Sequence, residues 1–158
     1  MQPKHRKTTD DVRDHAEIGP LTNGQDRMTA LASLFLPVLM LFHLVGPVPA
    51  DLGVHAGELS PCESPAHCSR SRWLRDNPEA DFTVLAAAVA AMPRTVVVDQ
   101  SDHYLHAEAS SALFGFVDDL ELLADDTAIQ ARSVSRIGES DLGVNAARLA
   151  ELETLLQN

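Results

Sequence analysis

From residue 77 onward the chain alternates between two hydrophobic periods. Phe82, Leu85, Ala86 and Val89 recur at helical spacing after an Asn77 or Asp76 cap and Pro78, and Pro93 stops the run. Four strand-like segments follow, TVVVDQ (95–100), HYLHAEAS (103–110), LFGFVDDLELLA (113–124) and AIQARSVSRI (128–137). A closing helix from about Asp141 to Leu156 carries Leu142, Leu149, Leu152 and Leu156 on one side. The pattern predicts an α+β domain over 77–158: a four-stranded antiparallel meander with two helices packed on one face (α-ββββ-α).

The pattern also predicts a register. With Ala124–Thr127 as a four-residue loop, Leu123 faces Ala128, Leu122 faces Ile129 and Leu120 faces Ala131, so the apolar side chains share one face. Asp118 then stands opposite Ser133, and Phe116 opposite Ser135, on the helix side. Asp119 faces Arg132 on the open face, where Arg136 also points. Carrying the parity back adds Val96, Val98, Leu105 and Ala107 to the apolar face.

Upstream, the patterning changes twice. Residues 1–28 are polar with no sustained apolar period and predict a disordered tail. Residues 29–50, TALASLFLPVLMLFHLVGPVPA, carry no formal charge, and some 20 helical residues cross a hydrocarbon layer of roughly 30 Å. The run predicts a transmembrane signal-anchor preceding the domain. Val48-Pro49-Ala50 keeps a cleaved signal peptide open as the alternative. Residues 51–76 read as a cysteine-containing linker.

Charge sharpens this picture. The chain holds 12 Lys+Arg against 23 Asp+Glu, a formal net charge of −11, which excludes a nucleic-acid binder because phosphate contact needs a basic face. Five basic and five acidic residues cancel in 1–28, so the excess belongs to 51–158, which has seven arginines and no lysine. A lysine-free remainder after Arg27 predicts the tail inside and the C-terminal domain outside the cytoplasm, periplasmic or extracellular.

Two cysteines, Cys62 and Cys68, bracket Pro65. An even count in an exported segment predicts a disulfide. Free thiols and a metal site recruiting His67 or His55 remain as alternatives, although Cys-x5-Cys is not a usual zinc spacing.

The stretches DLGVHAGELSPCESPAHCSRS, FVDDLELL and RSVSRIGESDLGVNAARLAELETLL resemble blocks of the bacterial and plastid "domain of unknown function" family numbered 1499. Its RSxSRxGxSDLGxN block falls on Arg132, Ser133, Ser135, Arg136, Gly138, Ser140, Asp141, Leu142, Gly143 and Asn145. The resemblance implies a single-domain module often attached to membrane segments, with no established activity. In the cysteine loop the chain departs from the family's Cys-Pro-x-Ser-Pro-Asn-Cys, with Glu63 and His67 in place of the first proline and the asparagine.

The chemistry-bearing residues crowd between strand four and the last helix. Arg132, Arg136, Ser140, Asp141, Asn145 and Arg148 form a candidate site for a carboxylate or phosphate at a helix start. Asp118, Ser133 and Ser135 form a candidate buried polar network, and the plainer reading of the segment is that network plus a surface ion pair and a helix cap. No G-x-S-x-G elbow, P-loop or dinucleotide fingerprint is present. His103 or His106 as a base, or either with Glu108 on a metal, is the weaker reading. The expectation is a membrane-anchored, extracytoplasmic binding module for a small anionic ligand or partner group, with no cofactor and no metal. A structural or assembly factor for a membrane or envelope complex is the alternative.

Overall fold

The computed structural model describes residues 45–157. A small hairpin comes first, β1 (Val54–His55) and β2 (Glu58–Leu59), then β3 (Cys68–Leu74) and α1 (Pro78–Ala91). The chain continues through β4 (Thr95–Gln100), β5 (Tyr104–Ser110), β6 (Val117–Ala124), β7 (Ala128–Ser135) and α2 (Val144–Leu155). β3 to β7 form one antiparallel five-stranded sheet in the order β3-β7-β6-β5-β4.

Both helices pack on one face of that sheet, α1 against β4 and β6, and α2 against β3 and β7. The expected stripe of Phe82, Leu85, Ala86 and Val89 is buried, and the Asn77 side chain accepts from the Ala80 N–H to cap α1. Leu105, Ala107, Leu120, Leu122, Ile129 and Ala131 meet that stripe, with Leu149, Leu152 and Leu156 from the end of the chain. At about 1.5–3 kcal/mol per large buried apolar side chain, this layer is the main source of stability.

Five corrections to the sequence reading follow. The sheet has five strands, because SRSRW within the expected linker forms β3 and puts Trp73 into the core. Asp125 and Ala128 face each other at the end of the β6–β7 ladder, so the chain turns on Asp126 and Thr127 and not on four residues. Asp125 N–H donates to Ala128 O, while the Asp125 carboxylate accepts from Thr127 N–H, Thr127 Oγ1 and Ala128 N–H. The register is therefore displaced by two, with Glu121 opposite Arg132 and Asp118 opposite Ser135. An even displacement preserves which face each residue takes.

Third, β4 bulges between Val97 and Asp99, so Val97 packs on the core while Val96 and Val98 are exposed along an edge strand. Fourth, α2 begins at Val144, and Leu142 precedes it with φ +54° and 92% exposure. Fifth, Leu113 to Phe116 form a turn before β6 and not its first residues.

The expected tail and most of the expected membrane span, residues 1–44, lie outside the described residues. The last part of the apolar run, residues 45–50, is not helical. A side-chain carbon on Gly46 would come within 2.7 Å of the Arg136 carbonyl oxygen, so this glycine lies directly against the end of β7. Among the described residues no helix is long and apolar enough to cross a membrane.

Candidate functional site

The sheet face away from the helices is charged and yet buried. His106, Asp119, Glu121, Gln130 and Arg132 alternate with the core residues of β5 to β7, and residues 51–60 bond to Glu121, Gln130 and Arg132. Glu121, fully out of solvent, accepts from Arg132 Nη1 at 2.9 Å, Tyr104 OH at 2.9 Å and the Gly53 N–H at 2.7 Å. Gln130 accepts from the Leu59 N–H and Arg70 Nη2 and donates to Gly57 O.

Asp119 forms the second centre. It accepts from Arg136 Nε and Nη2, both at 2.8 Å, and from His106 Nε2 at 2.8 Å. Because an ionised carboxylate only accepts, His106 carries its proton on Nε2. Burial pushes the Asp119 carboxyl up, but the bonds and charges of Arg136 and His106 outweigh it and hold it below the ordinary carboxylate range. Burial, then the charge and hydrogen bond of Glu121, pushes the Tyr104 phenol up, so it stays a donor. Arg136 also donates to Glu108, and with Asp119 this holds its guanidinium firmly protonated.

A cleft of about 460 Å³ opens beside this layer. Pro47 to Asp51 form one wall, Glu63, His67 and Cys68 of the disulfide loop another, and Arg132, Val134, Ser135 and Arg136 the floor. Cys62 and Cys68 are joined as a disulfide, and Cys68 is buried opposite Val134. Asp51 accepts from Arg132 Nη2 at 2.6 Å while remaining 45% exposed at the rim.

Two side-chain nitrogens of this wall and floor, His67 Nδ1 and Arg132 Nε, are buried and have no hydrogen-bond partner. A buried donor left unmade costs about 1–3 kcal/mol. Native folds rarely retain such groups without a reason.

The helix face holds a separate polar cluster. Ser135 Oγ donates to Asp118, Ser133 Oγ donates to Asn145 Oδ1, and Asn145 Nδ2 donates to Ser135 Oγ and to His67 O. Arg148 spans the group, donating to Ser133 Oγ, Asn145 Oδ1 and Asp118 Oδ2. Asp141 accepts from the Gly143 and Asn145 N–H groups at the start of α2. Burial pushes the Asp141 carboxyl up, but those N–H donors hold it below the usual range.

The six residues expected around an anion are thus divided by the sheet. Arg132 and Arg136 lie on the charged face, each already paired with carboxylates. Asn145 and Arg148 lie on the helix face beside Asp118, Ser133 and Ser135. Ser140 Oγ accepts from the Leu142 N–H, and Asp141 occupies the helix start itself. The expected exposed pair of Asp119 with Arg132 is replaced by two buried pairs, Glu121 with Arg132 and Asp119 with Arg136.

Sequence reasoning missed Glu121, Gln130, Tyr104 and Asp51. The one signal was their alternation with apolar residues, which puts Glu121, Gln130 and Arg132 on one face and says nothing of what covers it. The even spacing of SRSRW was the same signal for β3. Among the described residues no group of three or more His, Cys, Asp or Glu side chains is arranged to hold a metal ion.

No curated protein matches the chain. A family model described as "Protein of unknown function (DUF1499)" matches residues 48–156, taking in the cleft wall from Val48 on, the disulfide loop, the whole sheet and both helices. That match spans more than half of the chain, and the protein belongs to this family.

Proposed function

We propose that this protein is a membrane-tethered, extracytoplasmic binding module whose cleft takes a carboxylate or phosphate group of a small molecule or partner. The observation that carries the reading is the pair of unpartnered nitrogens, His67 Nδ1 and Arg132 Nε, in residues that line one cleft. Arg132 is 3% exposed and fixed by Glu121 beneath it, so its guanidinium is oriented before any ligand arrives. Asp51 holds Nη2 in the free protein and, being half in solvent, can swing aside. An incoming oxyanion then meets Nε–H and Nη2–H together, the geometry of a bidentate arginine contact.

The disulfide supports an oxidising compartment. The uncharged run 29–44 supports the tether. Heat of binding measured with succinate in one arm and inorganic phosphate in the other tests the site and separates the two oxyanion chemistries. Asp51→Asn, which removes a competing carboxylate, tightens binding, and His67→Ala weakens it. Binding of neither probe, or equal binding by both variants, contradicts the site.

A further inference from the structure

β3, β5, β6 and β7 all turn at the same end of the sheet, where Cys68 pairs with Val134, Ser110 with Val117 and Asp118 with Ser135. The 111–116 loop and the 136–143 loop therefore project together, and Gly46 packs against Arg136 and Ile137 at that same end. Twelve large apolar side chains are exposed among the described residues; five of them, Val45, Val48, Leu113, Phe114 and Leu142, belong to these segments, and Val144 opens α2 directly after them. At the opposite end of β3 stands Leu74, beside Ala128.

Hydrogen bonds within the loops leave these side chains exposed. Ser111 closes its loop twice, donating its N–H to Phe116 O and accepting the Phe116 N–H on Oγ, which leaves Leu113 79% and Phe114 63% exposed. Leu142, whose N–H donates to Ser140 Oγ, follows Asp141 in left-handed backbone, φ +54°. A leucine is disfavoured in that conformation, and its exposed side chain contributes nothing to the core. Folding alone gives no reason for a leucine there.

We infer that this end of the domain, led by Leu113, Phe114 and Leu142, rests in the interfacial layer of a lipid bilayer. The occupant follows from the chain: the uncharged apolar run 29–44 leads directly into Val45, and Val45 to Val48 lie at this end. A tether leaving from here brings these loops to the bilayer surface with no length of linker to spend. Beside Leu142, Asp141 is bonded to backbone N–H groups, and the exposed tips themselves are apolar, so zwitterionic lipid suffices. The inference rests on the membrane tether proposed above.

The test uses the full chain reconstituted into phosphatidylcholine vesicles, with an environment-sensitive dye on Leu113→Cys, Leu142→Cys or Leu74→Cys. The native cysteines are protected as a disulfide. Leu74 is 77% exposed and lies roughly 20 Å away along the sheet, by the rise of a strand. The expected result is blue-shifted emission at 113 and 142 that loses intensity when doxyl lipid is included, with neither effect at 74. Dye at 113 and 142 as water-exposed and unquenched as at 74, in protein that floats with the vesicles, overturns the surface and leaves the tether standing. A blue shift untouched by doxyl lipid but growing with protein density identifies a second copy instead and also overturns it. Protein that fails to float overturns the tether, and the surface with it.

Discussion

Glu121 and Arg132 stand directly opposite each other across the β6–β7 ladder, 2.9 Å apart and shielded from solvent by residues 51–60. Their pairing explains how a sheet can bury its second face without making it apolar. Each charge is desolvated at considerable cost and is tolerated because its partner's bond replaces the lost water. The arrangement is unforgiving of single changes.

Replacing Arg132 with Met leaves Glu121 charged and buried, and should destabilise by about 3–5 kcal/mol. Adding Glu121→Gln should recover part of that loss, with a coupling of about 0.5–3 kcal/mol. Denaturant unfolding of the two single variants and the double variant measures it. Strict additivity would show that Glu121 and Arg132 do not act as a pair.

The neighbouring carboxylates should differ in the order set by their partners. Asp119→Ala leaves His106 without its carboxylate and Arg136 with Glu108 alone, and should cost about 3–5 kcal/mol. Asp118→Ala removes acceptors from Ser135 and Arg148 at the margin of the helix face and should cost about 1–3 kcal/mol. Melting temperatures rank them, and a larger loss at Asp118 would contradict the assignment.

Acid should unfold the domain through these same groups. Asp119 and Asp141 are held below the ordinary carboxylate range. Burial pushes Asp125 up, but the donors on Thr127, Gln130 and Arg72 bring it down to about 2. A depressed folded pKa means the unfolded chain takes up protons first, at about 3.9 for aspartate. Their contribution is therefore complete above about pH 5 and declines as pH falls through about 4 toward the folded values. Urea midpoints should be level from pH 7 to about 5 and drop below that, and the drop should be shallower in Asp125→Asn.

Reduction gives a further check. Opening the Cys62–Cys68 loop should lower stability by about 2 kcal/mol in the chain-entropy model. Because Cys68 also begins β3 opposite Val134, the loss should be local to this strand and the cleft wall. Amide exchange before and after reduction should show faster exchange in β3 than in β5 or β6. Uniformly faster exchange across the sheet would contradict a local effect.

What the sequence made legible follows from where burial selects for apolarity. The stripes of α1 and of β5 to β7 were readable because a helix-covered sheet face tolerates little else, and parity survived a two-residue register error for the same reason. The charged face was not readable. Hydrophobic alternation assigns a polar partner face to solvent, and nothing in Glu121 or Gln130 announces that residues 51–60 fold back over them. β3 was lost to the same assumption, since Arg70 and Arg72, which stand on the charged face opposite Arg132 and Gln130, look like linker. The register itself turned on Asp125, whose carboxylate folds back onto its own turn. Leu142 illustrates the converse case, an apolar residue at helical spacing that the backbone turns outward.

The most direct test of the binding site follows the Arg132 Nε–H resonance in a ¹H–¹⁵N spectrum while succinate or inorganic phosphate is added. Without a probe this proton has no acceptor. A saturable downfield movement of that signal is expected with one of the two probes, shared by the amides of Val48, Ala50, Asp51 and His67 and absent from the distant turn at Asp125. An Arg132 Nε–H signal unmoved at saturating concentrations of both probes would contradict the central claim that this cleft is a binding site for an oxyanion.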